Sequence, residues 1–396
     1  MSLLITFLMI VVVMTAILTI NSYLILLERK TAAWIQDRVG PNRVGFDLGL
    51  PFLKRLTGGF HFWGLGQPIA DGLKFLFKEQ VVPQHVDKVL YFLAPCVAVI
   101  TALLAFAVVP FGPTPTPQNP DAFPFVIAPN IDIGIVFVFA VSSLAVYAII
   151  LGGWASNNKY SMIGALRSSA QIISYEIPLG LSILVVAMLT GSLNLERIIA
   201  RQATEGFLGW NIWFQPLAWL LFFTAALAET NRLPFDLPEC EQELVGGFHT
   251  EYSAIKFVMF FLGEYTHMIT VSFLTAILFF GGWHFPFIAE PTSSYPGATA
   301  VKILVLVFKA GFFIFLIMVL RWSLPRFRYD QLMRLAWVVL IPLGLLNVIV
   351  AMIVLHWGLS RWWLLPISLV LFVGAGLIGT VVSTPDKRMI GHARQA

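Results

Sequence analysis

The sequence predicts an all-α fold: a polytopic transmembrane bundle of about nine helices forming a single integral membrane domain over residues 1–396. Three observations lead there. Hydrophobic residues make up 58% of the chain and charged ones only 12%, leaving too little polar surface to face water on all sides. The mean hydropathy is +0.83. The apolar residues also fall into runs of about 20, the length that crosses a hydrocarbon core of about 30 Å as a helix. These runs place spans at 3–27, 88–110, 131–155, 168–190, 210–228, 254–281, 302–321, 337–356 and 362–383. The first is too long for the apolar part of a secretory signal and has no small-residue cleavage site before Glu28, so it is read as a retained helix.

Orientation follows from the basic residues, which cytoplasmic loops retain. With the N-terminus outside, the inner loops hold Arg29, Lys30, Arg38, Arg43, Lys54, Arg55, Lys74, Lys78, Lys88, Lys159, Arg167, Arg232, Arg321, Arg326, Arg328, Arg334, Lys387, Arg388 and Arg394, out of 25 Lys and Arg in all. Only Arg197, Arg201, Lys302 and Arg361 fall outside, and Lys256 and Lys309 lie within spans. The expectation is an outer N-terminus and a cytoplasmic C-terminus.

Three features interrupt this pattern. The inner stretch AETNRLPFDLPECEQELVGGFHTEYS, from residue 228, gathers Glu229, Asp236, Glu239, Glu241, Glu243 and Glu251 against one cation, Arg232. An anionic inner leaflet repels such a loop. Leu233, Phe235, Leu237, Leu244, Val245, Phe248 and Tyr252 are interleaved with the acids. That mixture fits packing against protein, with carboxylates turned into a wet cavity, better than a solvated loop. Carboxylates crowded there repel one another and raise some of their pKa values, which suits proton exchange near neutral pH.

The second feature is the first inner loop. Its segment from Ile69 to Phe77 puts Ile69, Leu73, Leu76 and Phe77 on one helical face, which reads equally as an amphipathic helix in the membrane interface or as one packed on a neighbouring subunit. Gly40 and Pro41 set a turn before Arg43. The third feature is ionisable groups inside spans: Glu176 in the fourth, and Lys256, Glu264 and His267 along one stripe of the sixth. Such groups line a polar path, or else Glu264 and Lys256 form a static pair that fixes helix register.

Other signals carry no chemistry. GAGLIG at 374–379 has the spacing of a dinucleotide fingerprint but lies inside an apolar span with no strand before it, so it is read as a small-residue helix contact. Cys96 and Cys240 cannot between them hold a cluster or structural zinc, and the seven histidines are scattered. The chain is expected to bind no FMN, iron–sulfur cluster, metal or nucleic acid, and no residue is assigned a catalytic role.

The stretches ERKTAAWIQDRVGPNRVG, LGQPIADGLKFLFKE, GALRSSAQIISYEIPLGLSIL, AETNRLPFDLPECEQELVGGFHTEYS, LFFGGWHFP and RWSLPRFRYDQLM occur in that order between about residues 22 and 345. Together they resemble the H subunit of the proton-pumping NADH:quinone oxidoreductase, respiratory complex I. The resemblance implies a membrane subunit of a translocase that forms part of a quinone chamber, with ubiquinone or menaquinone as substrate, and starts an acidic proton-coupling path. Carried over by motif, the quinone site comprises Arg29, Gln36, Arg38, Arg232, Asp236, Phe261 and Arg326. The proton path comprises Glu176, Glu229, Glu239, Glu241, Glu243, Glu251 and Glu264. The implied partners are the quinone-site subunits of the hydrophilic arm on the cytoplasmic face, small membrane subunits alongside, and lipids, in a bacterial plasma (inner) membrane. Two rival readings are an ion-coupling membrane subunit of an energy-converting hydrogenase and a stand-alone cation or proton transporter. The sequence departs from the family pattern in a longer segment at 45–64, in a ninth span beyond the motifs, and in Cys240, where the family often has a small Ala.

Overall fold

In hydrocarbon, a backbone can satisfy its polar groups only internally, so long apolar runs become helices. The computed structural model describes residues 3–45, 62–113, 123, 125–237, 241–290 and 297–382; for Phe62, Glu241, Gln242 and residues 378–382 it describes the backbone only. Among the described residues, eleven helices of ten residues or more follow in chain order: α1 (Leu3–Ile35), α2 (Gln67–Phe77), α3 (Lys88–Leu104), α4 (Gly134–Ala155), α5 (Lys159–Thr190), α6 (Leu195–Thr204), α7 (Pro216–Glu229), α8 (Ala254–Phe279), α9 (Ala298–Ser323), α10 (Tyr329–His356) and α11 (Leu364–Val382). By length and composition α1, α3, α4, α5, α8, α9 and α10 can each cross a membrane, and α7 and α11 are shorter apolar helices. Each expected span holds a helix, seven of the nine long enough to cross, and the protein is an all-α polytopic membrane bundle.

Local sequence explains the main boundary differences. The fourth span begins at Lys159, nine residues before the apolar run, because the Asn158 side chain accepts from Tyr160 N and caps the start. The fifth expected span is broken at Gln215, which is non-helical ahead of Pro216. In α10 a π turn over Leu335–Leu340 precedes Pro342, which has no N–H to offer the Val338 carbonyl, so the helix widens there. The amphipathic helix expected from Ile69 is α2, and its apolar face is open: Ile69, Leu73, Leu76 and Phe77 are all exposed. Gly40 takes φ +72° in the expected turn after α1, with its Cβ position 3.0 Å from Ala33 Cβ.

The helices form one contiguous packing scheme. Pairs α3–α4, α5–α7, α4–α5, α3–α8, α8–α9 and α5–α10 pack against each other, with α8 near the middle. Of the most apolar stretch of α8, 61% is buried; for α1 the figure is 6%, so α1 stands at the rim. Its C-terminal half holds its buried residues, Ile17, Asn21, Leu24, Leu26, Glu28, Thr31 and Ala33. Gly164 lets the backbone of Gly247 approach α5 so closely that an added Cβ would lie 2.7 Å from it, which seats the acidic stretch directly on the bundle.

Opposite the arginine-rich end, Lys309 of α9 closes α8 by donating to the carbonyls of Phe280 (2.6 Å), Gly282 (2.9 Å) and His284 (2.6 Å). Trp210 Nε1 donates to His284 Nδ1 at 3.3 Å. Burial first, and then the Lys309 and Lys302 ammonium groups, push the His284 imidazole down to about 4, so it stays neutral and able to accept. The GAGLIG stretch makes less contact than expected: Gly374 and Gly376 face open space, and Ala375 packs against the core.

Candidate functional site

Two polar regions adjoin inside the arginine-rich end of the bundle. The first is a cluster of matched charges. Arg232, in the turn after α7, has a side chain only 5% exposed; its Nη1 lies 3.7 Å from Glu28 Oε2 of α1 and its Nη2 lies 3.5 Å from Glu264 Oε2 of α8. Its guanidinium sits 4.2 Å from the Tyr265 ring centroid and 6.0 Å from that of Phe261. Glu28 is also paired with Arg321 of α9 and accepts from the Tyr265 hydroxyl. Arg326 Nη2 donates to Asp236 Oδ2 at 2.8 Å. Three carboxylates thus face three guanidinium groups from α1, α8, α9 and two connecting segments. Buried ions are tolerated when they are paired with an opposite charge, as here.

The second region is an internal cavity of about 40 Å³. Glu229 at the end of α7, Glu264 and His267 of α8, Ser142 of α4, Thr230 and Asn231 line it among apolar side chains. A water needs roughly 10–15 Å³ by this measure, so the space suits two or three. Among the described residues, no Lys or Arg lines it. Glu176 of α5 lies within electrostatic range of Glu229. His267 Nε2 is buried with no hydrogen-bond partner among the described residues, which a cavity water would supply. Glu264 belongs to both regions.

The residues picked from the sequence divide accordingly. Arg232, Asp236, Phe261 and Arg326 gather in the cluster. Arg29, Gln36 and Arg38 lie at the exposed end of α1, where Arg29 pairs with Asp71 of α2 at 2.8 Å and Arg38 bonds Gln36. Glu176, Glu229 and Glu264 gather at or near the cavity. Glu243 is on the surface, bonded to Arg167 at 2.6 Å, and Glu251 accepts from Asn158 Nδ2 at 2.6 Å. Glu239 and the side chain of Glu241 lie outside the described residues. Of the interleaved apolar residues, Phe235, Leu237, Leu244, Phe248 and Tyr252 are buried, whereas Val245 is exposed.

The alternative reading of a static Glu264–Lys256 pair fails. Glu264 is held by Arg232, and Lys256 instead packs its ammonium 4.0 Å from the Phe92 ring centroid and 4.9 Å from that of Tyr91. The two residues are eight apart, about 12 Å along a helix, too far for direct contact. Sequence reasoning also misses Glu28, Tyr265 and Arg321 as site residues. Glu28 reads as the charge that ends the first span; its only signal is being the one acid beside the cations Arg29 and Lys30.

Beside the cavity, His249 lies among aromatic rings, 4.9 Å from Phe248, 5.2 Å from Phe257 and 6.0 Å from Phe261. Burial pushes its imidazole down to about 4. Tyr252 stacks on Tyr91 at 4.2 Å, and burial raises its hydroxyl, which stays protonated. Among the described residues no three His, Cys, Asp or Glu side chains gather in a way that could hold a metal ion.

Fold and site together define an integral membrane protein that holds ionisable groups, some paired and some around a cavity, within its helical bundle. A family model described as NADH dehydrogenase matches residues 7–352. The H subunit of the NADH-quinone oxidoreductase of Leptospira biflexa is 47% identical over 354 residues, covering 87% of this chain and 93% of that protein. The H subunit of Deinococcus radiodurans is 43% identical over 399 residues, 98% of this chain and 95% of its own, so its match runs through the C-terminal region beyond the shared motifs. The H subunit numbered 1 of Cytophaga hutchinsonii is 43% identical, covering 86% and 94%. The chain belongs to the H-subunit family of NADH:quinone oxidoreductase, and is thus a membrane subunit of bacterial complex I that assembles with the other subunits of that enzyme.

Proposed function

We propose that this chain, as one membrane domain, forms the membrane wall of the quinone chamber and the first stage of the acidic path that couples quinone chemistry to proton movement. One observation carries the reading: Glu264 is shared, held at one side by Arg232 of the charge cluster and opening at the other onto the acid-lined cavity. Reduction of a quinone to a quinol takes up two electrons and two protons, and a new negative charge near Arg232 competes with Glu264 for it. A carboxylate released from its cation takes a proton more readily, so the event is handed to Glu229 and His267 across the cavity waters. Glu176, near Glu229, extends the path, and Glu239, Glu241, Glu243 and Glu251 lie along the same segment. Arg29, Gln36 and Arg38 frame the chamber's outer lip, and Arg232, Asp236, Phe261 and Arg326 its inner wall. The quinone, ubiquinone or menaquinone, is the substrate.

In this reading the arginine-rich end faces the cytoplasm, with the N-terminus outside, in the bacterial plasma membrane. The hydrophilic arm docks over Arg29, Arg38 and Arg328. The open apolar face of α2 lies against lipid or a small membrane subunit. The test uses the intact complex in sealed vesicles, comparing quinone reductase rate and proton uptake for wild type and Glu264→Gln. Loss of proton uptake with normal assembly supports the reading. Unchanged rate and uptake overturn it.

A further inference from the structure

We propose that Gln171 is a positioning residue for quinone reduction: one side-chain amide that fixes the charge cluster relative to the acid-lined cavity. It rests on the quinone-chamber reading above. Gln171, on α5, is 0% exposed. Its Nε2 gives its two hydrogens to Ala228 O and Phe235 O, each at 2.8 Å, and lies 3.4 Å from Asn231 Oδ1. Each of these residues immediately precedes a charged one: Ala228 precedes Glu229, Asn231 precedes Arg232, and Phe235 precedes Asp236.

Beyond the ion pairs of Arg232 and Asp236 and a bond from Phe327 N to Pro234 O at 3.2 Å, the backbone bonds of the segment are local. Thr230 N donates to Ala226 O, Asn231 N to Ala228 O and Phe235 N to Arg232 O, and none of these bonds joins residue 228 to residue 235. The Gln171 amide joins both ends to α5. Its orientation is set by its neighbours, because turning it over would aim its oxygen at two carbonyls and another amide oxygen. Asn231 reaches the amide from a left-handed conformation, φ +50°, that Asn tolerates better than most residues. With Gln171 in place, Glu229 at the cavity and Arg232 and Asp236 in the cluster share one reference point on α5, five residues before Glu176. Without it, two buried carbonyls lose a donor and residues 228 and 235 lose their common tie to α5.

The test uses the intact complex in native membranes with two variants. Gln171→Met keeps length and removes the donor. Gln171→Glu keeps a donor only while its carboxyl is protonated. NADH:ferricyanide reductase activity and native gels report assembly, and the KM for a short-chain quinone and the proton uptake per quinone report positioning. Gln171→Met is expected to assemble, to raise the quinone KM about five-fold, an effect of the order of one of the two hydrogen bonds lost, and to lower proton uptake per turnover. Gln171→Glu is expected to regain a low KM as pH falls, a dependence absent from wild type and from Gln171→Met. A Gln171→Met enzyme with wild-type KM and uptake overturns the proposal. Failure of both variants to assemble also overturns it, since Gln171 would then be a folding residue. Arg232→Lys and Asp236→Asn are measured alongside: if they leave the KM unchanged, the chamber reading itself fails, and if they raise it while Gln171→Met does not, only this inference fails.

Discussion

The charge cluster and the acid-lined cavity are neighbours that share Glu264, yet they treat carboxylates in opposite ways. In the cluster, Glu28 and Asp236 each have a guanidinium within contact, and Tyr265 adds a hydrogen bond. Around the cavity, Glu229 and His267 face polar side chains and water-sized space, with no lining cation among the described residues. A buried carboxylate with a matched cation is pinned in its ionised form, whereas one facing waters can change its proton count without leaving an ion stranded. On the proposed reading, the bundle keeps a fixed region and an exchangeable region side by side.

The comparison breaks most severely at Arg232. Arg232→Met leaves Glu28 short of one partner and Glu264 without its cation, and loss of one member of a buried pair costs about 3–5 kcal/mol. The expected outcome is a sharp fall in assembled complex on native gels and in quinone reductase activity. A normal amount of active complex would show that the cluster does not depend on charge matching. A smaller effect is expected at His249, at the edge of the cavity. Its imidazole is held down to about 4 by burial, against about 6.5 when unfolded. The unfolded chain therefore takes up the proton first as pH falls. Stability is complete above about 6.5 and lost between there and about 4, by on the order of 1–3 kcal/mol. Thermal unfolding of the purified complex should lose less across that window in His249→Gln, and an unchanged acid-side slope would remove His249 from the account. The smallest stability effect is expected at Glu229→Gln, nearly isosteric and on a cavity wall, at within about 1 kcal/mol. Its assembled level should match wild type while proton uptake per quinone drops. Destabilisation as large as that of Arg232→Met would mean that both regions are built alike.

How far the site could be read from the sequence follows from which physics is local. The spans were legible because the hydrocarbon imposes length and polarity on each run by itself, and Glu176, Glu264 and His267 stood out as costly exceptions within those runs. The amphipathic α2 was legible from its spacing, and the segment after α7 from its interleaved acids and apolar residues. Glu28 was not, because its meaning depends on Tyr265, 237 residues away, and on arginines from two other segments. Lateral packing of helices leaves no periodic mark. The same limit explains why a Glu264–Lys256 pair could be entertained as the alternative: both residues lie on one stripe, but their partners come from other elements, Arg232 for one and the aromatic rings of α3 for the other. Gln171 gave no signal because its acceptors are mostly backbone carbonyls, which every residue has.

The way α1 is held has a mechanical consequence. Its fixed points are Asn21, bonded to Thr266 at 2.7 Å, and Glu28 in the cluster, while Leu3, Leu4, Phe7, Leu8, Val11 and Val12 touch little protein. The stretch from Asn21 back to Leu3 is a stiff rod about 27 Å long clamped at one end. A tilt of about 5° at the clamp swings its tip by roughly 2 Å, so a small rearrangement of charge at Glu28 would be felt as a displacement at the far side of the bilayer, with no hydrogen bond of the helix broken.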